Sequence, residues 1–378
     1  MATLFFANGV VVGSWLPRLP EIRDRLGLDL RVLGFTLAVG GVGSLIGSSL
    51  SGVVVTRWGA RRAALVSAGV LYLILPLVSV APTAAYLAVV LALLGLADSP
   101  SDVGMNAVGI RVEERVGRSI MNRLHGLWSL GTLVGSAASA LAVLIGLDLG
   151  PQLVLVAVVG LAAVIGAGRL VPDATPRARI GARSGALAVG LMVAGGTLVF
   201  VEGAPFDWSA IYLLDIVGSG SAVSGTGVIL FTAGMLAGRL GGDHLVDRFG
   251  SLPTLFTGVT LSLLAMVLVV ASNTTITALA GFGLWGLGIS VAVPVLYKLA
   301  GSHRSFGEGS GLAALTVGTR LGFLVAPALI GAGAAAWGLP TALGVIVGVA
   351  ALASMIGVRL ALGTASPVDD SIPGAGAP

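Results

Sequence analysis

The feature that most restricts this chain is the length of its uncharged stretches. Eight segments, 32–56, 63–97, 124–147, 149–168, 184–201, 216–238, 249–297 and 321–358, hold no Asp, Glu, Lys or Arg. A helix crossing the ~30 Å hydrocarbon core of a bilayer needs about 20 apolar residues. Only 10% of the chain is charged and 56% is hydrophobic, against roughly 25% charged in an average soluble domain. An aqueous fold cannot hide that much apolar side chain behind so few charges, so the solvent has to be lipid. The 58 glycines suit helices that pack backbone to backbone in a bilayer. With no cysteine in the chain, disulfides, thiolate metal sites and cysteine nucleophiles are excluded.

Three of the uncharged stretches are long enough for two crossings, and each contains a break: Ala81-Pro82-Thr83, Ser272-Asn273-Thr274 and Trp337-Gly338-Leu339-Pro340. With the amino-terminal segment and two charge-bearing spans, the pattern predicts twelve helices. They are expected at 1–18, 31–56, 63–81, 84–111, 119–147, 151–170, 185–213, 221–246, 251–272, 275–299, 307–335 and 339–362. Orientation follows from the positive-inside rule. With the amino terminus cytoplasmic, 15 of the 21 basic residues fall in inner loops and the tail. Four lie outside, between Arg18 and Arg31, where Glu21, Asp24 and Asp29 offset them. Both termini are therefore expected inside. The basic residues sit in short loops and give no nucleic-acid footprint. Met1 leads into Leu4, Phe5 and Phe6 without a basic stretch, so no cleavable signal peptide is expected.

Self-comparison shows a duplication. At a spacing of 191, Gly43-x-x-x-Gly47 falls on Gly234-x-x-x-Gly238 and Arg57-Trp58-Gly59 on Arg248-Phe249-Gly250. At 187, Ser129-x-Gly131-Thr132-x-x-Gly135 falls on Thr316-x-Gly318-Thr319-x-x-Gly322. At 194, Asn8-Gly9 falls on Glu202-Gly203 and Glu21-Ile22 on Asp215-Ile216, which makes span 1 about eight residues shorter at its start than span 7. The expected organisation is an amino-terminal six-helix bundle over 1–170, a cytoplasmic linker over 171–184, a carboxy-terminal bundle over 185–362 and a disordered cytoplasmic tail over 363–378. Six helices per half make the repeats parallel, as expected of two halves rocking about a midplane site. The Gly-x-x-x-Gly pairs on spans 2, 5, 8 and 11 read as packing stripes, expected along the seam between halves.

The loop Gly52-Val-Val-Val-Thr56-Arg57-Trp58-Gly59-Ala60-Arg61-Arg62 and its copy Asp243-His-Leu245-Val-Asp247-Arg248-Phe249-Gly250 resemble the signature cytoplasmic loop of the major facilitator superfamily. Further stretches, Trp15-Leu-Pro17-Arg18-Leu-Pro20, Asp102-x-x-x-Asn106, Asn122-Arg123-Leu-His125 and Glu202-Gly203-x-x-x-Asp207-Trp208-Ser209, look like its bacterial fucose-permease-like branch. The resemblance implies an all-α membrane protein of twelve transmembrane helices in two six-helix pseudo-symmetric halves. It also implies a loop gate at Arg57, Gly59, Arg239, Asp243, Asp247 and Arg248. The acidic residue usual in the first loop is Thr56 here, so a latch carboxylate is kept only in the second, as Asp247 with Arg248 or Arg239. The Gly-Pro motif on span 5 that is associated with drug antiporters is absent, which weakens an efflux reading.

Ionisable groups at bilayer depth are costly and are functional candidates by default. Asp98, Asp102 and Asn106 lie at four-residue steps on span 4, hence on one helix face. Two carboxylates one turn apart, away from bulk water, repel each other and lose hydration, so one of them is expected to take up and release a proton. The competing reading is a structural carboxylate paired with an arginine such as Arg123. Arg320, with eleven uncharged residues before it and 38 after, cannot shed its charge and needs an anion: Glu202 on span 7, or an anionic solute. Arg239 lies one turn before Asp243 and is expected to pair locally. Trp128 and Trp285 are deep enough to stack on a solute ring, with packing as the rival role; Trp15, Trp208 and Trp337 read as an interfacial belt. Asn8 is placed to hydrogen-bond a polar solute. His125 is a relay or packing residue, and the three histidines form no metal site.

The expected function is secondary transport of a small polar solute, sugar-like by resemblance, across the inner membrane. Asp98, Asp102 and Glu202 would couple protons, and Asn8, Asn106, Trp128, Trp285 and Arg320 would bind the solute. The chain is expected to act as a monomer in lipid, with a proton gradient as energy source and no cofactor, metal or nucleic acid. Proton-driven efflux of an amphiphile and a transport-inactive sensor are the rivals. An enzyme is not expected, because no nucleophile–base pair or nucleotide loop stands out.

Overall fold

The computed structural model describes residues 1–116, 120–169, 186–302 and 310–362. The expected linker and tail, with Arg118, Arg177, Arg179, Arg183, His303 and Arg304, lie outside them. Every regular element among the described residues is helical. In chain order the long ones are α1 (Ala2–Trp15), α2 (Leu30–Trp58), α3 (Ala60–Val78), α4 (Ala84–Val116), α5 (Met121–Leu144), α6 (Leu149–Gly168), α7 (Ala186–Asp215), α8 (Thr226–Phe249), α9 (Ser251–Val270), α10 (Thr275–Ile289, resuming as Ala292–Ser302), α11 (Ser310–Trp337) and α12 (Leu339–Leu360). Eleven are long and apolar enough to cross a membrane. The first, at 14 residues, reaches depth by continuing through a 3-10 turn (Leu16–Arg18) and a short helix (Leu19–Leu26). Pro17 and Pro20 open these segments, where proline's missing N–H costs no hydrogen bond. We call the side carrying Met1 and Gly59 the terminal face and the side carrying Gly27 and Gly338 the far face.

The three expected breaks all interrupt helices. Asp29 opens α2 by accepting from the Val32 N–H at 2.8 Å, an N-cap bond. Prolines inside helices release carbonyls that the ladder can no longer use, and two of these are taken by side chains. Pro205 frees the Val201 carbonyl, which accepts from Trp285 Nε1 at 2.8 Å. Pro294 breaks the expected continuous tenth helix and frees the Ser290 carbonyl, which accepts from Arg239 Nε at 3.4 Å. Large apolar side chains such as Leu240, Ile276 and Leu360 project from the outer surface, as a lipid solvent demands.

Packing follows the duplication. In the first half α1 pairs with α5, α2 with α4 and α3 with α4; in the second α7 pairs with α11, α8 with α10 and α9 with α10. The halves meet along α2–α11 and α5–α8. The Gly-x-x-x-Gly pairs, expected on that seam, lie elsewhere. A Cβ on Gly43 would stand 1.9 Å from the Ala92 carbonyl oxygen of α4, and one on Gly234 2.0 Å from that of Gly283 in α10. Gly131 meets Phe6 of α1 at 2.0 Å and Gly318 meets Met192 of α7 at 2.1 Å. All four weld helices within a half. The seam uses other glycines: a Cβ on Gly34 would stand 2.4 Å from the Pro327 carbonyl oxygen, and one on Gly331 2.5 Å from that of Leu30.

The same contacts correct one register. Gly9 faces Trp128 and Thr132, whereas Gly195 faces Leu315 and Thr319. This places α1 on α7 at a spacing of 186 instead of 194, because the second α1 match fell beyond the bend at Pro17. Asn8 then matches Ala194, not Glu202, and the eight-residue deficit disappears, since Ala2 matches Ala188.

Gly59 and Gly250 join α2 to α3 and α8 to α9 with φ of 80° and 86° and ψ of 150° and 161°, a region open essentially to glycine. No atom crowds Gly59. Gly59→Ala is therefore expected to lower stability by about 1–3 kcal/mol through backbone strain alone, read as a fall in the melting temperature of the purified protein.

Candidate functional site

Midway through the bilayer span, between the halves, lies a cavity of about 320 Å³. α1 contributes Asn8, α2 Ser44, α4 Asp98, α5 Trp128, α7 Glu202, Phe206 and Asp207, and α11 Arg320 and Phe323. Five charged groups in and beside this wall have no charged counterpart in the other half. By the packing register Asp98 matches Ile289, Asp102 matches Val293, Glu202 matches Leu16, Arg239 matches Ser48 and Arg320 matches Leu133. The duplication thus shares its packing glycines and keeps its buried charge unpaired by symmetry.

Two ion pairs flank the cavity. Arg320 reaches from α11 across the seam, donating through Nη1 to Ser44 Oγ at 2.9 Å and through Nη2 to Asp102 Oδ2 at 3.3 Å. Asp102 Oδ1 accepts from Asn106 Nδ2 at 2.8 Å. Arg239 of α8 donates to Glu202 Oε1 at 3.3 Å and to Ser129 Oγ of α5 at 2.5 Å, and its guanidinium carbon lies 5.7 Å from the Trp128 ring centre. A guanidinium at depth needs such an anion. The pairing differs from expectation: Arg320 takes Asp102 instead of Glu202, and Arg239 takes Glu202 instead of Asp243. The reason lies in the register between halves, which turns Arg320 toward α2 and α4 and carries Arg239 inward above the loop.

A third chain of bonds ends on the other helix 4 carboxylate. Trp128 Nε1 donates to Asn8 Oδ1 at 2.7 Å, and Asn8 Nδ2 donates to Asp98 Oδ1 at 2.8 Å. Asp98 therefore has a neutral donor while Asp102 has an arginine. Asn106 is spent on Asp102. Trp285 lies elsewhere, fully buried, its ring stacked on Phe282 at 6.3 Å. Trp208 is fully buried instead of interfacial and Trp15 lines the cavity, whereas Trp337 is 59% exposed. Asp207, Ser44, Ser129 and Phe206 were not among the expected site residues. Asp207 carried the one available signal, a further carboxylate five positions after Glu202 in the same span.

The expected gate residues separate in part. Arg239, Asp243 and Asp247 line a second cavity of about 530 Å³ toward the terminal face, with His125, Glu113 and Lys298. Arg248 lies over the Phe249 ring, 5.3 Å from its centre, and Arg57 is exposed beside Gly59. Asp247 is thus not latched by Arg239, which is engaged deeper, and Arg248 is turned onto its neighbour's ring. At the far face the halves are joined. Arg23 forms a bidentate ion pair with Asp215, whose carboxylate raises the guanidinium above its ordinary value. Pro17 lies against Gly225, whose Cβ would stand 2.8 Å from that of the proline. Arg18, expected at the surface, is buried and donates to Gln152 Oε1 at 2.7 Å.

Because the Arg23–Asp215 pair crosses the halves at an exposed rim, it is worth only a few tenths to about 1 kcal/mol. Asp215→Asn is expected to leave the melting temperature nearly unchanged while raising far-face access to the cavity. The check is thiol labelling of a Val12→Cys reporter, which is unambiguous because the chain has no other cysteine.

No family model matches the chain. It is 33% identical over 337 residues to an uncharacterised MFS-type transporter of Yersinia pestis, covering 86% of each chain. It is also 30% identical over 368 residues to the membrane protein MosC of Rhizobium meliloti, covering 95% of this chain and 88% of that one. Among solved structures it resembles a mutant form of the nucleoside transporter NupG, with a TM-score of 0.76 at 14% identity over 95% of this chain and 98% of the other. It also resembles a bacterial homologue of the lysosomal transporter Spinster in an inward-facing, occupied conformation, with a TM-score of 0.64 at 12% identity over 96% and 94%. These structural likenesses concern the fold, which is the twelve-helix arrangement described above. The relatedness to the Yersinia protein over most of both chains identifies this one as a multi-pass membrane transporter of the major facilitator superfamily.

Proposed function

We propose that the chain carries one small polar solute, sugar-like or nucleoside-like in size and polarity, together with a proton, by alternating access through the central cavity. The supporting observation is the asymmetry of the two helix 4 carboxylates. Asp102 is held by Arg320 at 3.3 Å, and Asp98 faces the cavity with only a neutral amide bond from Asn8 at 2.8 Å. A carboxylate at depth with no cation bonded to it relieves its desolvation by taking up a proton. It faces the same space as the solute, so solute and proton can be bound and released together. The Arg320–Asp102 and Arg239–Ser129 contacts both cross the halves, so they have to break or re-form when the halves rock. The chain is placed in the cell (inner) membrane with both termini in the cytoplasm, following its arginine bias, and works as a monomer.

The test is purified protein in liposomes with an imposed pH gradient, the membrane potential clamped to zero and a pooled metabolite library outside. One-to-one coupling gives accumulation of about tenfold per pH unit. Asp98→Asn is expected to abolish accumulation while leaving solute exchange at equal pH. Movement against the proton gradient in the opposite sense supports export, and binding without any movement supports a sensor.

A further inference from the structure

The cavity holds a carboxylate that the proton-coupling scheme does not use. Asp207 lines it from α7, one residue beyond Phe206, and has no hydrogen-bond or ion-pair partner among the described residues. The other charged groups on the wall are engaged: Asp98 with Asn8, Glu202 with Arg239, and Arg320 with Asp102 and Ser44. With the partners of the wall residues counted, four carboxylates (Asp98, Asp102, Glu202 and Asp207) meet two guanidiniums (Arg239 and Arg320), and the missing charge is positive even with a proton on Asp98. Beside Asp207 stands an aromatic corner. The Phe206 ring lies edge-on to Trp128 at 6.4 Å and edge-on to Phe231 at 4.9 Å, and Trp128 and Phe206 both line the cavity.

We infer that the solute carries a protonated amine, which is bound by the Asp207 carboxylate against the Phe206–Trp128 corner. An ammonium group supplies a partner to a half-buried carboxylate that has none among the described residues, and aromatic faces attract the same cation. A neutral hydroxyl offers a hydrogen bond and leaves the charge uncompensated. At about 320 Å³ the cavity sits at the small end of ligand pockets, which limits the rest of the solute to a single ring or a comparable body. Asp207 and Asp98 reach the cavity from different halves, so cation and proton occupy separate carboxylates. This inference rests on the reading of the cavity as the transport site.

The test uses purified protein at pH 7 and two amine–alcohol pairs matched in shape, glucosamine with glucose and phenylethylamine with phenylethanol. Binding is followed by intrinsic tryptophan fluorescence. In at least one pair the amine is expected to bind about tenfold or more tightly than its alcohol. Asp207→Asn is expected to erase that preference and Asp207→Glu to retain much of it, with the melting temperatures of both variants checking that they fold. The inference is overturned if neither amine outbinds its alcohol, or if the preference survives in Asp207→Asn. The two readings fail separately. Proton-driven uptake of a neutral solute that persists in Asp207→Asn keeps the carrier and rejects the amine. Amine binding that needs Asp207 without proton-driven movement keeps the amine and rejects coupling.

Discussion

Arg239→Leu is expected to destabilise the protein by about 3–5 kcal/mol, the cost of leaving one member of a buried ion pair alone. The side chains of Arg239 and Glu202 are only 10% and 14% exposed, so water restores little of the solvation of the abandoned carboxylate. The same substitution leaves the Ser290 carbonyl that Pro294 had freed without its side-chain donor, whereas Ser129 Oγ keeps its bond to the His125 carbonyl. Arg239→Leu combined with Glu202→Leu is expected to recover most of the loss, because replacing both ions with apolar groups of similar size is often neutral. Unfolding of the purified variants in detergent by heat or denaturant reads the difference. A double variant no more stable than the single one would contradict the pairing. The Arg320–Asp102 pair gives a smaller effect, since the Asp102 side chain is 36% exposed.

The second large effect separates two kinds of close helix contact. Gly43→Val and Gly34→Val both drive a side chain into backbone, at 1.9 Å from the Ala92 oxygen and 2.4 Å from the Pro327 oxygen. Gly43 sits between α2 and α4, which stay together in every state of a carrier whose halves move as units. It has no relief, and the variant is expected to fail to fold or to lose several kcal/mol. Gly34 sits between α2 and α11, across the seam. That clash is relieved by parting the halves at the far face, so Gly34→Val is expected to remain folded, to label at Val12→Cys much faster than the unsubstituted reporter protein, and to stall transport. Equal loss of folding in both variants would remove the distinction between weld and seam.

Much of this architecture was legible because bilayer solvent writes simple rules. Uncharged runs marked the helices, and Pro82, Asn273 and Gly338 marked the returns. The glycine repeats marked the duplication, since backbone contact at 2.0 Å tolerates nothing larger at Gly234, nor at 1.9 Å at Gly43. The same repeats did not say which neighbour each glycine touches, because a small residue fits equally against a partner in its own half or in the other. The charges were found and their partners were not. A sequence fixes the rotation of Arg320 about its own helix, but the facing of α11 toward α2 depends on how two halves dock, which no local pattern records. For the same reason Asp207 stayed inconspicuous. Its lack of a partner is a property of the assembled cavity, whereas Asp98 and Asp102 announced themselves by lying one turn apart. The wrong α1–α7 register came from matching short motifs across the bend at Pro17 and Pro20, where the helical phase shifts.

The central claim is that one cavity couples solute to a proton through Asp98. The most direct measurement is proton flux itself: liposomes loaded with a pH-sensitive dye, no imposed gradient, and a transported solute added outside. The account predicts acidification of the lumen that depends on the solute, saturates with it, and disappears in Asp98→Asn while radiolabelled solute still exchanges. Solute entry without acidification, or acidification that persists unchanged in Asp98→Asn, would contradict it.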